Sequence, residues 1–328
     1  MILRFVAAAC FSLLIALTPC VSQAQHTTQT DKLERNIRAE LGFLASDAMQ
    51  GRGSGSGYER LAAEYIGSQF RQFGLDPAGD TDTNGHQSFV QRAVLSETVT
   101  WNAVGVLRGS DRASAKEVIM LSAHLDHLGT NENAAPGTDA IFNGADDDAS
   151  GCVAVLELAR ALSSGRRPRR TIYFVCFGSE ERGGYGAQYF VAHSPVALAH
   201  IVADVTFEML GRPDSKVPAN TLWLTGYERS TLGPELAKHG ALLVADPHPE
   251  QNFFQRSDNY TLALRGVVAH TVSSFGLHTD YHRPSDDVSK IDFGFMTRAI
   301  ASLIKPIRWL ADSAFRPAWL PGKMPTRG

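Results

Sequence analysis

Histidines and carboxylates of the kinds that hold metal ions fall at five separated places in this 328-residue chain. They are His124 in Ser-Ala-His-Leu-Asp-His, Asp147 in Gly-Ala-Asp-Asp-Asp-Ala-Ser-Gly, the pair Glu180-Glu181, Glu208 in Phe-Glu-Met and His282 in Asp-Tyr-His. Each lies at or just beyond the end of an apolar run that reads as a strand. Open α/β sheets build their sites outside the carboxyl ends of their strands, so residues far apart in sequence can converge there. Imidazole and carboxylate donors without thiolates suit zinc, with manganese or cobalt chemically able to substitute.

Val118-Ile119-Met120-Leu121 has the pattern of a buried strand. It delivers His124 and Asp126 to its end on one side of the pleat, with His127 facing the other way. His124 is then the ligand, and the Asp126 carboxylate accepts its second ring N–H, fixing the tautomer. Asp146-Asp147-Asp148 opens a helix. The helix dipole favours these carboxylates, but their mutual repulsion calls for a cation or strong hydrogen-bond donors. Asp148 suits the cap, where its side chain would satisfy free helix N–H groups, and Asp147 is left to bridge two metals. In Glu180-Glu181 one carboxylate can hold a metal while the other, unligated, takes a proton from water. Glu208 ends the apolar run Ile201 to Phe207. His282 sits in the turn-rich stretch Asp280 to Asp287 before the last helix.

Periodicity supplies the framework that would position these groups. Strand-like runs at Thr98 to Leu107, Val118 to Ala123, Thr171 to Phe177, Ile201 to Phe207, Thr221 to Thr225 and Val267 to Val272 alternate with helical spacing at 150–163, 184–193, 230–239, 257–264 and 291–313. Two further helical patterns, Asp31 to Asp47 and Tyr58 to Phe73, come first. The alternation predicts a single α/β domain over 25–315, with a mostly parallel central sheet and helices on both faces. Gly51-Arg52-Gly53-Ser54-Gly55-Ser56-Gly57 reads as a plain loop. It neither follows a strand nor ends in the Lys-Ser/Thr of a phosphate-binding loop. Ala78 to Gln91 reads as loop and 316–328 as a loose C-terminal tail.

Residues 1–24 read as a signal peptide. Arg4 precedes an apolar stretch from Phe5 to Leu17, and Ser22-Gln23-Ala24 is a small-x-small cleavage pattern. The run is too short to span a bilayer. The expectation is an exported protein, periplasmic or secreted, with no membrane association after removal of the leader. Cys10 and Cys20 leave with it, and Cys152 and Cys176 are expected as buried small apolar residues. A net charge of -3 gives no support for a nucleic-acid partner. The one basic cluster, Arg166-Arg167-Pro168-Arg169-Arg170, reads as a solvated turn.

Taken in order, these residues resemble the co-catalytic zinc aminopeptidases of peptidase clan MH, the group that includes secreted bacterial leucine aminopeptidases, glutamate carboxypeptidase II and the catalytically silent transferrin receptor. The resemblance covers roughly 35–312, and Gly-Ala-Asp-Asp-Asp-Ala-Ser-Gly followed by Glu-Glu is its most specific part. It implies two zinc ions. His124 and Glu208 would hold one, Glu181 and His282 the other, and Asp147 would bridge them. It also implies Glu180 as general base, Tyr281 steadying the oxyanion, and a peptide as substrate.

Three positions depart from the pattern. Glu208 stands where aminopeptidases usually have Asp. Arg182-Gly183-Gly184-Tyr185 replaces a Gly-Leu-x-Gly-Ser segment, and Asn259 stands where many members have His. The short span from Gln91 to Glu117 leaves no room for an inserted protease-associated domain. Phe253 and Phe254, in the loop before Ser257-Asp258, have two readings: lining a pocket for an apolar terminal side chain, or packing into the core. The leading expectation is a zinc aminopeptidase, and the longer Glu208 keeps a carboxypeptidase or dipeptidase in play. A glutaminyl-cyclase-like enzyme would use one zinc and not need His124, and a non-catalytic binding module would lack ligands that this chain retains.

Overall fold

The computed structural model describes residues 28–95 and 97–326, so the expected leader lies outside the described residues. Helix α1 (Gln29–Leu44) starts at Thr28, whose hydroxyl accepts from Asp31 N while the Asp31 carboxylate accepts from Thr28 N. This reciprocal capping box satisfies N–H groups that the helix itself cannot. Helix α2 (Gly57–Gln72) follows, and then strands β1 (Asp76–Pro77), β2 (Val90–Leu95), β3 (Thr98–Leu107) and β4 (Val118–His124). A short hairpin of β5 (Gly129–Thr130) and β6 (Ile141–Phe142) leads to α3 (Gly151–Ser163), β7 (Thr171–Phe177), α4 (Tyr185–Ala192) and β8 (Ile201–Phe207). The chain then runs through β9 (Leu222–Leu224), α5 (Leu232–Lys238), β10 (Leu243–Ala245), α6 (Asn259–Ala263), β11 (Ala269–Ser273) and α7 (Phe293–Asp312).

Among the described residues nine strands form one sheet in the order β1-β3-β7-β4-β8-β11-β9-β10, with β2 paired to β3. Its centre, β7-β4-β8-β11, is parallel as the alternation predicts. Antiparallel pairs, β3 on β7 and β9 on β11, extend it toward both edges, so the whole sheet is mixed. Strands β4, β7 and β8 are buried along their full length, because helices cover both faces and near-continuous apolar runs suit strands so placed. One core joins α1, α2, α3 and α7 to the sheet through Ile37, Phe70, Leu156 and Ile300. A second packs Phe190 of α4 and Leu262 of α6 against Val104, Val175 and Phe177.

After β4 the chain passes to β7 on one side and then to β8 on the other. The carboxyl end of β4 is therefore a switch point, where the connections diverge and leave a crevice.

Two stretches differ from expectation. Val90 and Gln91, placed in a loop by sequence, begin β2, which pairs with β3 from Val90↔Ala103 to Leu95↔Thr98; polar Gln91 and Arg92 dilute its alternation. Part of the tail expected to be loose is docked. Trp319 bridges to Ser230, donates from Nε1 to Gly266 O at 3.2 Å and packs beside Phe254 and His270. Cys152 and Cys176 are free and buried. Among the described residues no helix is long and apolar enough to cross a membrane.

Candidate metal centre

The carboxyl ends of the central strands carry the candidate ligands. His124 is the last residue of β4, Glu180 and Glu181 follow β7, and Glu208 immediately follows β8. Asp147 lies in the distorted turn Ala145–Ser150 that leads into α3. Ser179, Met209 and His282 take left-handed backbone conformations, with φ of 53°, 56° and 56°. Residues with a Cβ rarely adopt this region, and such strain concentrates where a fold must aim particular side chains. Here the three kinks come just before Glu180, just after Glu208 and at His282 itself.

Two clusters of ligand atoms share Asp147. In one, His124 Nε2 is 3.1 Å from Asp147 Oδ1, with Glu208 completing the group. In the other, Asp147 and Glu181 face two histidines. His282 Nε2 is 3.2 Å from Asp147 Oδ2 and 3.1 Å from Glu181 Oε2, and His127 Nδ1 is 2.7 Å from Glu181 Oε1. His127 does not face away as strand alternation suggests. The chain leaves β4 at His124, and His127 N donates instead to Arg52 O while Ser54 N donates to His127 O, which turns the ring inward. Glu180 lines the same cleft but belongs to neither cluster.

Zinc fits this arrangement on its own chemistry. Glu181 Oε1, Glu208 Oε2, His282 Nε2 and both ring nitrogens of His127 are buried without a hydrogen-bond partner. Buried polar atoms left unmatched cost about 1–3 kcal/mol each, and a cation among these oxygen and nitrogen donors would satisfy them.

The charges are strongly perturbed. Burial pushes the Glu180 carboxyl well above its usual range; the His124 imidazole opposes this, while Glu208, Asp258 and Glu181 add to it. Glu181 goes the other way: burial and Asp147 push it up, but His127 and His282 outweigh them and bring it below the ordinary value. Asp147 is likewise held well below, its burial outweighed by His124 and His282. Burial draws His282 down, but Asp147 and Glu181 prevail and raise it to about 10. Tyr281 is pushed up by burial and then by Asp147, Glu208 and Glu181, so its hydroxyl stays protonated at neutral pH.

A set of buried polar contacts holds the clusters in place. The Asp126 carboxylate, expected to receive the second N–H of His124, lies 3.7 Å from that ring. His124 Nδ1 instead sits 3.2 Å from the Asp126 backbone carbonyl. The carboxylate accepts from Glu180 N at 2.9 Å, Glu181 N at 3.3 Å and the Ser54 hydroxyl, because the turn after β7 presents free N–H groups to it. Asp148 does accept at the helix start, from Gly151 N at 2.9 Å, and also from Met209 N and His124 N. Asp286 accepts from the backbone N–H groups of Asp146 and Asp147.

Arg52 is 1% exposed and donates to Leu125 O, Leu44 O, Asn143 O and Gly144 O, tying the segment after β4 to the one before Asp147. Sequence reading left this loop without a role; an arginine inside a glycine-rich run was the available signal.

The cleft beside the clusters is walled by Met209, Trp223, Phe253, Phe275, Arg256 and Tyr281. Phe253 stacks on Trp223 with ring centroids 5.4 Å apart. Of the two readings for this pair, Phe253 follows the pocket and Phe254 the core, where it packs against His270 and Trp319. Asn259 is buried, accepting from the Thr271 hydroxyl and donating to Phe254 O.

The sequence profile of Peptidase family M28 matches residues 102–305. Leupeptin-inactivating enzyme 1 of Streptomyces exfoliatus is 29% identical over 184 residues, which are 55% of this chain and 36% of that protein. The chain thus matches only about a third of that relative's length. Among solved structures, an aminopeptidase from Aneurinibacillus sp. strain AM-1 superposes with a TM-score of 0.65 at 15% identity, covering 91% of this chain and 99% of the other. A zinc aminopeptidase from Bacillus subtilis superposes at 0.63 with 15% identity, covering 85% and 95%. At such identities the structural likeness concerns the fold.

Proposed function

Since the chain belongs to peptidase family M28, we propose that it is an exported zinc-dependent aminopeptidase that removes amino-terminal residues from peptides with two metal ions and a glutamate base. One observation carries the reading: two ligand clusters share Asp147, and Glu180 opens on the same cleft outside both. His124, Asp147 and Glu208 would hold one zinc, and Asp147, Glu181 and His282 the other. Bound there, the ions would supply Lewis-acid polarisation of the scissile carbonyl and a water acidic enough to give up a proton.

The remaining steps belong to the protein's own groups. Glu180, its proton affinity raised by burial, takes the proton of the attacking water and returns it to the leaving amine. Tyr281, neutral at physiological pH, offers its hydroxyl to the carbonyl oxygen as negative charge develops there. Glu180, the cleft carboxylate outside both clusters, would face a free α-ammonium group. The apolar wall of Met209, Trp223, Phe253 and Phe275 suits an apolar side chain on the terminal residue. Export rests on the leader-like residues 1–24.

A carboxypeptidase or dipeptidase reading draws on Arg256, whose exposed side chain borders the same cleft and would pair with a terminal carboxylate. Peptides blocked at one end separate the two. An aminopeptidase cleaves Leu-p-nitroanilide and carboxyl-amidated dipeptides but not N-acetyl-Leu-p-nitroanilide. Cleavage of amino-blocked dipeptides with loss of activity on amidated ones would replace the proposal with the carboxypeptidase.

A further inference from the structure

Zinc ligation by His127 would explain an otherwise costly feature of the fold, a fully buried imidazole with neither ring nitrogen hydrogen-bonded. A neutral imidazole carries one donor and one acceptor, and both are stranded here. Nδ1 lies 2.7 Å from Glu181 Oε1 and 3.8 Å from Asp147 Oδ2, two carboxylates that His282 also contacts. The approach to Glu181 is close in distance but misaligned for a hydrogen bond. A cation between the two groups removes the need for that alignment.

The ring is also held from behind. Its backbone is tied to Arg52 and Ser54 on both sides, in a parallel bridge between Gly53 and His127. Gly144, with φ +58°, lies against the ring, where a Cβ would come 2.6 Å from His127 Cγ and Cδ2 and 2.2 Å from Asp147 O. The glycine-rich segment after α1 and the glycine before the aspartate triplet thus both serve to seat this imidazole.

We propose that His127 is a ligand of the zinc held by Asp147, Glu181 and His282, which makes the two metal positions unequal. Four protein groups then close the ion at Glu181, whereas His124, Asp147 and Glu208 give the other only three and leave a position open. Closed sets hold metal as structure and open sets work on substrate. The Glu181 ion is therefore the tightly held anchor, and the His124 ion the exchangeable one. This inference rests on the two-metal reading and adds a ligand to it.

The test combines zinc titration with X-ray absorption on the zinc-loaded protein. The wild-type spectrum is expected to carry the imidazole signal of three histidines for two zinc ions. His127→Ala is expected to bind one zinc at wild-type strength and the other at least about 100-fold more weakly, more than the loss of an outer-shell partner costs. His127→Asn, which keeps a hydrogen-bond donor but is a poor ligand, should behave like the alanine variant. A two-histidine signal from wild type overturns the proposal even if the variants fail to fold. So do variants that keep both zinc ions at wild-type affinity, and in either case the two-metal reading stands. A wild-type chain that saturates below two zinc ions would overturn both.

Discussion

Glu180 and Glu181 are neighbours in the chain with opposite proton affinities, one pushed well above and the other drawn below the ordinary value. The division follows from what each side chain meets: Glu181 faces His127 and His282, while Glu180 is buried beside Glu208 and Asp258. Sequence alone gave two carboxylates and two roles, and resemblance assigned them. Replacing Glu180 with Gln should therefore lower kcat by about 10²–10⁴-fold while zinc content and KM stay near wild type; steady-state kinetics beside metal analysis checks both. Most of the candidate ligands were legible at this scale because metal-binding residue types at strand ends are rare enough to notice. His127 was not, since period-two alternation applies only while the chain remains a strand. The Asp126 carboxylate was matched to the wrong partner because sequence spacing ranks close neighbours above the distant Glu180 turn.

The central parallel strands were legible as elements from their long apolar runs, whereas three-residue β10 and the polar-diluted β2 left too little pattern. The segment after α1 was recognised as a loop, but not what its arginine does, because Arg52 reaches carbonyls at 44, 125, 143 and 144 that only folding brings together. Arg52→Met would strand those acceptors in the interior and should cost about 3 kcal/mol or more of stability, read as a lower urea midpoint in the metal-free protein. Strand β8 carries a pH-sensitive contact of its own. Asp204 is buried beside the Ser122 and Thr206 hydroxyls, 2.9 and 3.0 Å away, and burial raises its carboxyl to about 7. A folded-state value above the unfolded one means the protonated form favours the fold. That contribution is complete below about pH 4 and lost as pH rises toward about 7, a change on the order of 4 kcal/mol. Asp204→Asn, which cannot ionise, should gain on wild type across that window; equal pH dependence of the two unfolding midpoints would refute the assignment.

At the scale of the whole molecule, the sheet's switch point gathers groups from β4, β7, β8 and the loops around α3 and α7, so metal and fold are linked. Without a cation, the carboxylates of Asp147, Glu181 and Glu208 crowd one crevice together with Glu180 and Asp258. Zinc at a thousandfold above its Kd should add about 4 kcal/mol per site. A chelator should thus lower Tm, and zinc should restore it, with calcium a poor substitute for a set containing imidazoles. The overall architecture was legible early because strand and helix periods alternate cleanly. The docking of Trp319 was not, since a short tail broken by prolines and glycines carries no helix or strand period that would show what its Trp319-Leu320 pair meets. The most direct test of the central claim is to titrate zinc into metal-free protein while following Leu-p-nitroanilide hydrolysis. Activity that appears with zinc and saturates at two ions per chain is the predicted result. Full hydrolysis without metal, or a two-zinc protein inert toward free-amine substrates, would contradict it.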